Sequence, residues 1–241
     1  MRINALFSPN FNKIKRSSKS IKFLIIHYTG MQSGRESIKR LINPKSKVSC
    51  HLLINQKGKV YRVVNDKNIA WHAGISCWGK YKNLNNNSIG IELVNKGHRH
   101  GYTNFHEKQI LTLIEICKQL IKKYKIKKNN IIGHSDIAPL RKIDPGEKFP
   151  WKSLAKNKIG IWHSCNVQQL KNFRKIKVLS NQKKATFLKN LEKIGYCVNT
   201  DKKFFFSKII KAFQRHYRKE LVNGLLDYET AEIAHNLSKK V

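Results

Sequence analysis

The chain has 241 residues, 49 basic against 14 acidic, and a formal net charge of +35. That length holds one domain of ordinary size plus a small module, and no apolar run approaches the ~20 residues of a membrane span. The charge points to an anionic partner, but the basic clusters at 13–22, 122–128 and 171–177 are scattered, and no zinc-finger spacing or other nucleic-acid motif accompanies them. No specific nucleic-acid partner is therefore expected. Because Asn, Lys and Ile are abundant together, drift in the coding composition is the first account of the charge. Attraction to an anionic polymer or membrane is the second.

Taken in order, Met1 to Phe11 is short, mixed and interrupted by Asn and Pro, unlike a signal-peptide core. Ile21 to Ile26 is a continuous apolar run that predicts a buried strand, closed by His27 and the turn Tyr28-Thr29-Gly30. Ser33 to Glu36 reads as a capping box before a helix carrying Ile38, Leu41 and Ile42. Ser88 to Asn95 predicts another strand, with Glu92 inside it. Asn104 with Glu107 opens a helix whose apolar residues at 110, 113, 114, 117, 120, 121 and 124 form a core-facing stripe. Asn130 to Gly133 predicts a short strand that delivers His134, and the prolines and glycine beyond force a loop. The expected class is α/β, with a central mixed sheet flanked by helices.

After about residue 180 three short helices are expected. One carries Leu188, Leu191 and Ile194 and stops at Gly195. The next carries Ile209, Ile210, Phe213 and Tyr217, and the last carries Ala231, Ala234 and Leu237 behind an Asp227 cap. The expected division is 1–165 as the main domain, 166–183 as a basic linker and 184–241 as a small helical domain, near the lower size limit for independent folding.

The segment from Gly133 to Trp151 carries the chemistry. His134 and Asp144 stand ten positions apart, with Lys142 two before the carboxylate. Imidazole and carboxylate are both first-row metal ligands. His27, at the C-terminal end of a central strand, is the third candidate, against the reading of a satisfied core histidine. A His/His/Asp set leaves tetrahedral zinc one open position, the catalytic arrangement. Glu92 fits the general base, since a carboxylate inside an apolar strand is costly unless it serves a metal, a cation or a reaction. An edge strand with Glu92 facing solvent is the alternative. Lys142 suits a developing oxyanion, against the reading of one more solvated lysine. Trp71 and His72 are expected to face substrate, His51 to be structural or to support a ligand from behind, and His98, His100 and His106 to be exposed.

These residues resemble the type 2 N-acetylmuramoyl-L-alanine amidases, zinc enzymes that cut the bond between the lactyl group of N-acetylmuramic acid and L-alanine in peptidoglycan. The resemblance rests on Ser8 to Asn12, Ile26 to Gly30, Val48 to His51, Lys57 to Tyr61, Ala70 to Gly74, Ser88 to Asn95 and Gly133 to Trp151, in order over roughly residues 8 to 162. It implies one zinc per chain held by His27, His134 and Asp144, Glu92 as general base and Lys142 as oxyanion stabiliser. Trp71, His72 and Asn95 are then substrate-binding, and peptidoglycan or a muropeptide is the substrate. Leu52 departs from the pattern, standing where the family usually has tyrosine. Leu191 to Tyr196, Ala212 to Tyr217 and Gly224 to Thr230 resemble, more loosely, the small peptidoglycan-binding domain often appended to wall hydrolases. Two other classes stay open: a non-catalytic peptidoglycan-recognition protein on the same scaffold, and a basic nucleic-acid-binding protein.

Five cysteines without close Cys-x-x-Cys spacing give no disulfide framework and point to a reducing compartment. A cytoplasmic address and recycling of imported wall fragments are the expectation, with a periplasmic or wall-associated location by a non-classical route as the alternative. No oligomeric state follows.

Overall fold

The structure, a computed structural model, describes residues 3–178, 180–199 and 204–241; residue 179 of the expected linker and residues 200–203 of the expected helical domain lie outside these. In chain order the strands and helices are β1 (Ile3–Ala5), β2 (Phe11–Asn12), β3 (Phe23–Tyr28), α1 (Gly34–Ile42), β4 (Leu52–Ile54), β5 (Val60–Arg62), β6 (Ile69–Ala70), β7 (Cys77–Trp78), β8 (Tyr81–Lys82) and β9 (Ser88–Leu93). They continue with α2 (Glu107–Tyr124), β10 (Ile131–Gly133), α3 (His134–Ile137), α4 (Trp151–Lys156), α5 (Val167–Phe173), α6 (Asn181–Ile194), α7 (Phe205–Tyr217) and α8 (Tyr228–Ser238).

Six strands form one mixed sheet in the order β1-β5-β4-β9-β3-β10. The four strands from β4 to β10 run parallel, and β5 pairs with β4 antiparallel. Side chains alternate across a strand, and this alternation splits the sheet into two environments. Leu24 and Ile26 of β3, with Ile89, Ile91 and Leu93 of β9, pack against Ile110, Leu113 and Cys117 of α2. On the other face Phe23, Ile25 and Ile132 join a core built largely from the C-terminal helices, including Phe187, Ile209, Phe213 and Leu237.

The helix starts follow local chemistry. Ser33 Oγ accepts from Glu36 N and caps α1, and Asp227 accepts from Thr230 N and caps α8. Gly195, at φ 129°, ends α6. The entry to α2 differs from expectation: His106, not Asn104, is the residue before its first turn, and it makes no side-chain cap. Within 166–183, read from its polarity as a linker, α5 forms behind an Asn166 cap and α6 begins; Leu170 of α5 is buried in the core of the C-terminal helices.

The C-terminal helices are fastened to the sheet domain at several points. Asp136 of α3 accepts from Tyr196 OH (2.6 Å) and His216 Nδ1 (2.7 Å), and the His216 ring stacks on Trp151 at 3.8 Å. Cys77 and Cys197 form a disulfide across 120 positions, with Cα atoms 5.9 Å apart. This corrects the reading that the cysteines give no disulfide framework, because a pair so far apart in sequence has no local spacing to announce it. Cys50, Cys117 and Cys165 are free. No helix among the described residues is long and apolar enough to cross a membrane.

Candidate active site

His27 stands near the C-terminal end of β3, where parallel register sets it beside Glu92 of β9. Paired residues of adjacent strands point to the same face, so both side chains reach one cleft. His134 opens α3 directly after β10, which pairs with β3 on its other side. A short return loop then brings Asp144 back, and Ser135 N donates to Asp144 O at 2.8 Å. Gly133 is required at this turn: a Cβ there would stand 2.7 Å from the Pro145 ring.

Three atoms converge. His27 Nδ1 lies 3.0 Å from His134 Nδ1 and 3.0 Å from Asp144 Oδ2, and His134 Nδ1 lies 3.1 Å from the same oxygen. Both imidazoles are almost wholly buried, at 1% and 3% exposure. Burial would raise the Asp144 carboxyl, but the two imidazoles outweigh it and hold it well below the usual carboxylate range. Burial, reinforced by His134, pushes His27 down to about 4 despite Asp144, so the imidazole is neutral near pH 7.

The far side of each ring fixes where its proton sits. His134 Nε2 faces the Ala73 carbonyl at 3.0 Å, which can only accept. His27 Nε2 faces His72 Nδ1 at 3.0 Å, His72 Nε2 faces Ser88 Oγ at 3.2 Å, and Ser88 Oγ donates to Leu84 O at 2.6 Å. With the Ser88 proton committed to a carbonyl, His72 must donate from Nε2. His72, held neutral by burial and by neighbouring imidazoles, then accepts at Nδ1. His27 therefore donates from Nε2, which leaves both Nδ1 atoms as bare lone pairs facing a carboxylate. Three converging acceptors with no proton between them call for a cation. This is also the one group of such residues found among the described residues that could hold a metal ion, and two imidazoles with a carboxylate suit zinc.

Glu92 borders the same cleft of about 310 Å³. Its Oε2 is sealed from solvent and has no hydrogen-bond partner among the described residues. Burial first, then the charge of Asp144, raise the carboxyl to about 8, with Lys142 opposing. Lys142 lines the cleft, and its ammonium forms no ion pair among the described residues. Arg141 is anchored to the Ala73 and Ile75 carbonyls and braces the loop.

Seven of the eight residues expected at the site line this cleft: His27, Trp71, His72, Glu92, His134, Lys142 and Asp144. Asn95 is the exception, because its amide donates to Thr103 O and its carbonyl oxygen accepts from Gly97 N. His51 is fully buried and accepts from Gly90 N through Nδ1. Sequence reasoning missed Ser88, Asn85 and Asp136. Only Ser88 carried a signal, since Ser88, Gly90 and Glu92 alternate with isoleucines and mark one face of β9.

Comparison with known proteins shows the family of the chain. Residues 17–147 match the family described as N-acetylmuramoyl-L-alanine amidase. The N-acetylmuramoyl-L-alanine amidase AmiD of Escherichia coli (strain K12) is 38% identical over 239 residues, covering 91% of this chain and 83% of that protein. The solved complex of AmiD from E. coli with anhydro-N-acetylmuramic acid-L-Ala-D-gamma-Glu-L-Lys is similar at a TM-score of 0.81 and 35% identity, covering 95% of this chain and 93% of that one. AmpDh3 from Pseudomonas aeruginosa, in complex with anhydromuramic pentapeptide, is similar at a TM-score of 0.81 and 30% identity, covering 96% of each chain.

Proposed function

The chain belongs to the N-acetylmuramoyl-L-alanine amidase family, and from that premise we propose how its residues hydrolyse the lactyl–L-alanine amide. His27, His134 and Asp144 would hold one zinc ion. When bound, zinc supplies Lewis acidity that polarises the scissile carbonyl and eases deprotonation of water. Glu92 takes the proton from the attacking water and returns it to the leaving L-alanine amine. A carboxyl with a raised pKa suits both halves of that transfer. Lys142 offsets the negative charge that develops on the carbonyl oxygen in the transition state. Trp71 gives the cleft wall an apolar face for the muramic acid or stem peptide. The observation that carries this reading is the convergence of three bare acceptors beside a carboxyl with one oxygen sealed.

The substrate we infer is a muropeptide fragment, because both liganded relatives above hold anhydromuramyl peptides. The non-catalytic recognition reading fits less well, since a complete ligand set and a poised carboxyl are both present. The Cys77–Cys197 disulfide favours an oxidising compartment, the periplasmic or wall-associated alternative, over the cytoplasm. Thiol trapping of the protein in its own cell tests this: free Cys77 and Cys197 would restore the cytoplasmic reading.

Glu92→Gln tests the mechanism. The variant should keep its fold and its zinc and lose roughly 10²–10⁴-fold in turnover. Near-full activity in that variant would remove Glu92 from the reaction.

A further inference from the structure

The order behind the ligands is tighter than their coordination alone requires. One dipeptide, His72-Ala73, supplies the outer partner of both imidazoles: His72 Nδ1 to His27 Nε2, and the Ala73 carbonyl to His134 Nε2, each at 3.0 Å. That dipeptide is itself fixed. Asn85 Oδ1 accepts from His72 N (3.1 Å) and from Ala73 N (2.7 Å), and Trp71 N donates to Ser49 Oγ at 2.8 Å.

The His72 ring is clamped as firmly as its backbone. It lies against Gly90 of β9, where a Cβ would come within 2.4 Å of its Cγ. The His51 ring meets it edge-on at 5.4 Å. Its second nitrogen reaches Ser88 Oγ, whose proton goes to Leu84 O. Both ring nitrogens are thus engaged by protein partners, and the residue is 9% exposed.

We propose that His72 is a positioning residue for the metal centre: it orients His27, and the chain His27–His72–Ser88–Leu84 fixes the tautomer that leaves His27 Nδ1 free to coordinate. This inference rests on the zinc reading above. It replaces a substrate-facing role for His72 with one behind the ligand. Partners in this position orient the ligand ring and raise its basicity, and their removal typically weakens metal binding 10–100-fold.

The test is a zinc titration of the full chain against a competing chelator, for wild type, His72→Ala, His72→Asn and Ser88→Ala, with KM for a muropeptide measured at saturating zinc. Wild type should bind one zinc. His72→Ala should bind it about 10–100-fold more weakly, with KM unchanged. His72→Asn, whose Oδ1 can accept where Nδ1 did, should recover most of the affinity, and Ser88→Ala should lose less than His72→Ala but in the same direction. Wild-type affinity in His72→Ala, with a raised KM, would return the residue to the substrate and overturn the proposal. If His72→Ala does not fold, Ser88→Ala decides, and unchanged affinity there overturns it. A wild type that binds no zinc at all would overturn the metal reading, and this inference with it.

Discussion

At the scale of the residue, Glu92 is the most informative group. A carboxyl with one oxygen sealed and unpartnered is an energetic liability once ionised. Its raised value of about 8 means that the folded chain holds this proton more tightly than the unfolded chain does. The stability contributed by the protonated carboxyl is therefore complete below about 4.5 and is lost as pH rises through 8. In denaturant melts of the metal-free protein, Glu92→Gln should match wild type near pH 4 and become the more stable of the two by pH 9. A gap independent of pH would contradict the burial argument. If Lys142 offsets charge in the transition state as proposed, Lys142→Ala should cost roughly 10²–10³-fold in turnover with zinc content unchanged. A raised KM alone would assign it to substrate binding.

At the scale of the element, β9 shows how one short strand builds half a site. Ile89, Ile91 and Leu93 hold it against α2, while Ser88, Gly90 and Glu92 face the chemistry. Gly90→Ala should displace the His72 ring, costing about 1–3 kcal/mol by overpacking and weakening zinc binding together with stability. Thermal melts and a zinc titration on one sample check both, and an unchanged affinity would separate the glycine from the metal site. Much of this was legible in the sequence. The apolar run ending in His27, the strand delivering His134 and the loop returning Asp144 are local patterns of hydrophobicity and turn chemistry. The direction of His72 was not legible, because it is set by Asn85, Gly90 and Ser88, each reached only through the fold. The setting of Asn95 was hidden for the same reason: it lies two positions beyond β9, and Thr103 and Gly97 engage its side chain.

At the scale of the whole molecule, the C-terminal helices and the sheet share one core. Their apolar side chains cover a face of the sheet in one continuous core with Phe23, Ile25 and Ile132, and Tyr196 and His216 hold Asp136, two positions beyond His134. We expect a chain cut after residue 165 to aggregate or to bind zinc weakly; a soluble, fully active fragment would restore the view of a separate module. Reduction of Cys77–Cys197 should lower stability by about 2–4 kcal/mol, read as a fall in melting temperature that Cys77→Ala reproduces. The three helices could be predicted from periodicity and caps. Their docking could not, because it joins residues 60, 80 and 120 positions apart. Zinc-dependent amidase activity is decided by metal analysis of the purified chain together with mass spectrometry of a defined muropeptide after incubation. The expected result is one zinc per chain and release of the free stem peptide, abolished by a chelator and restored by zinc. An intact muropeptide beside a fully loaded metal site, or cleavage indifferent to metal removal, would contradict it.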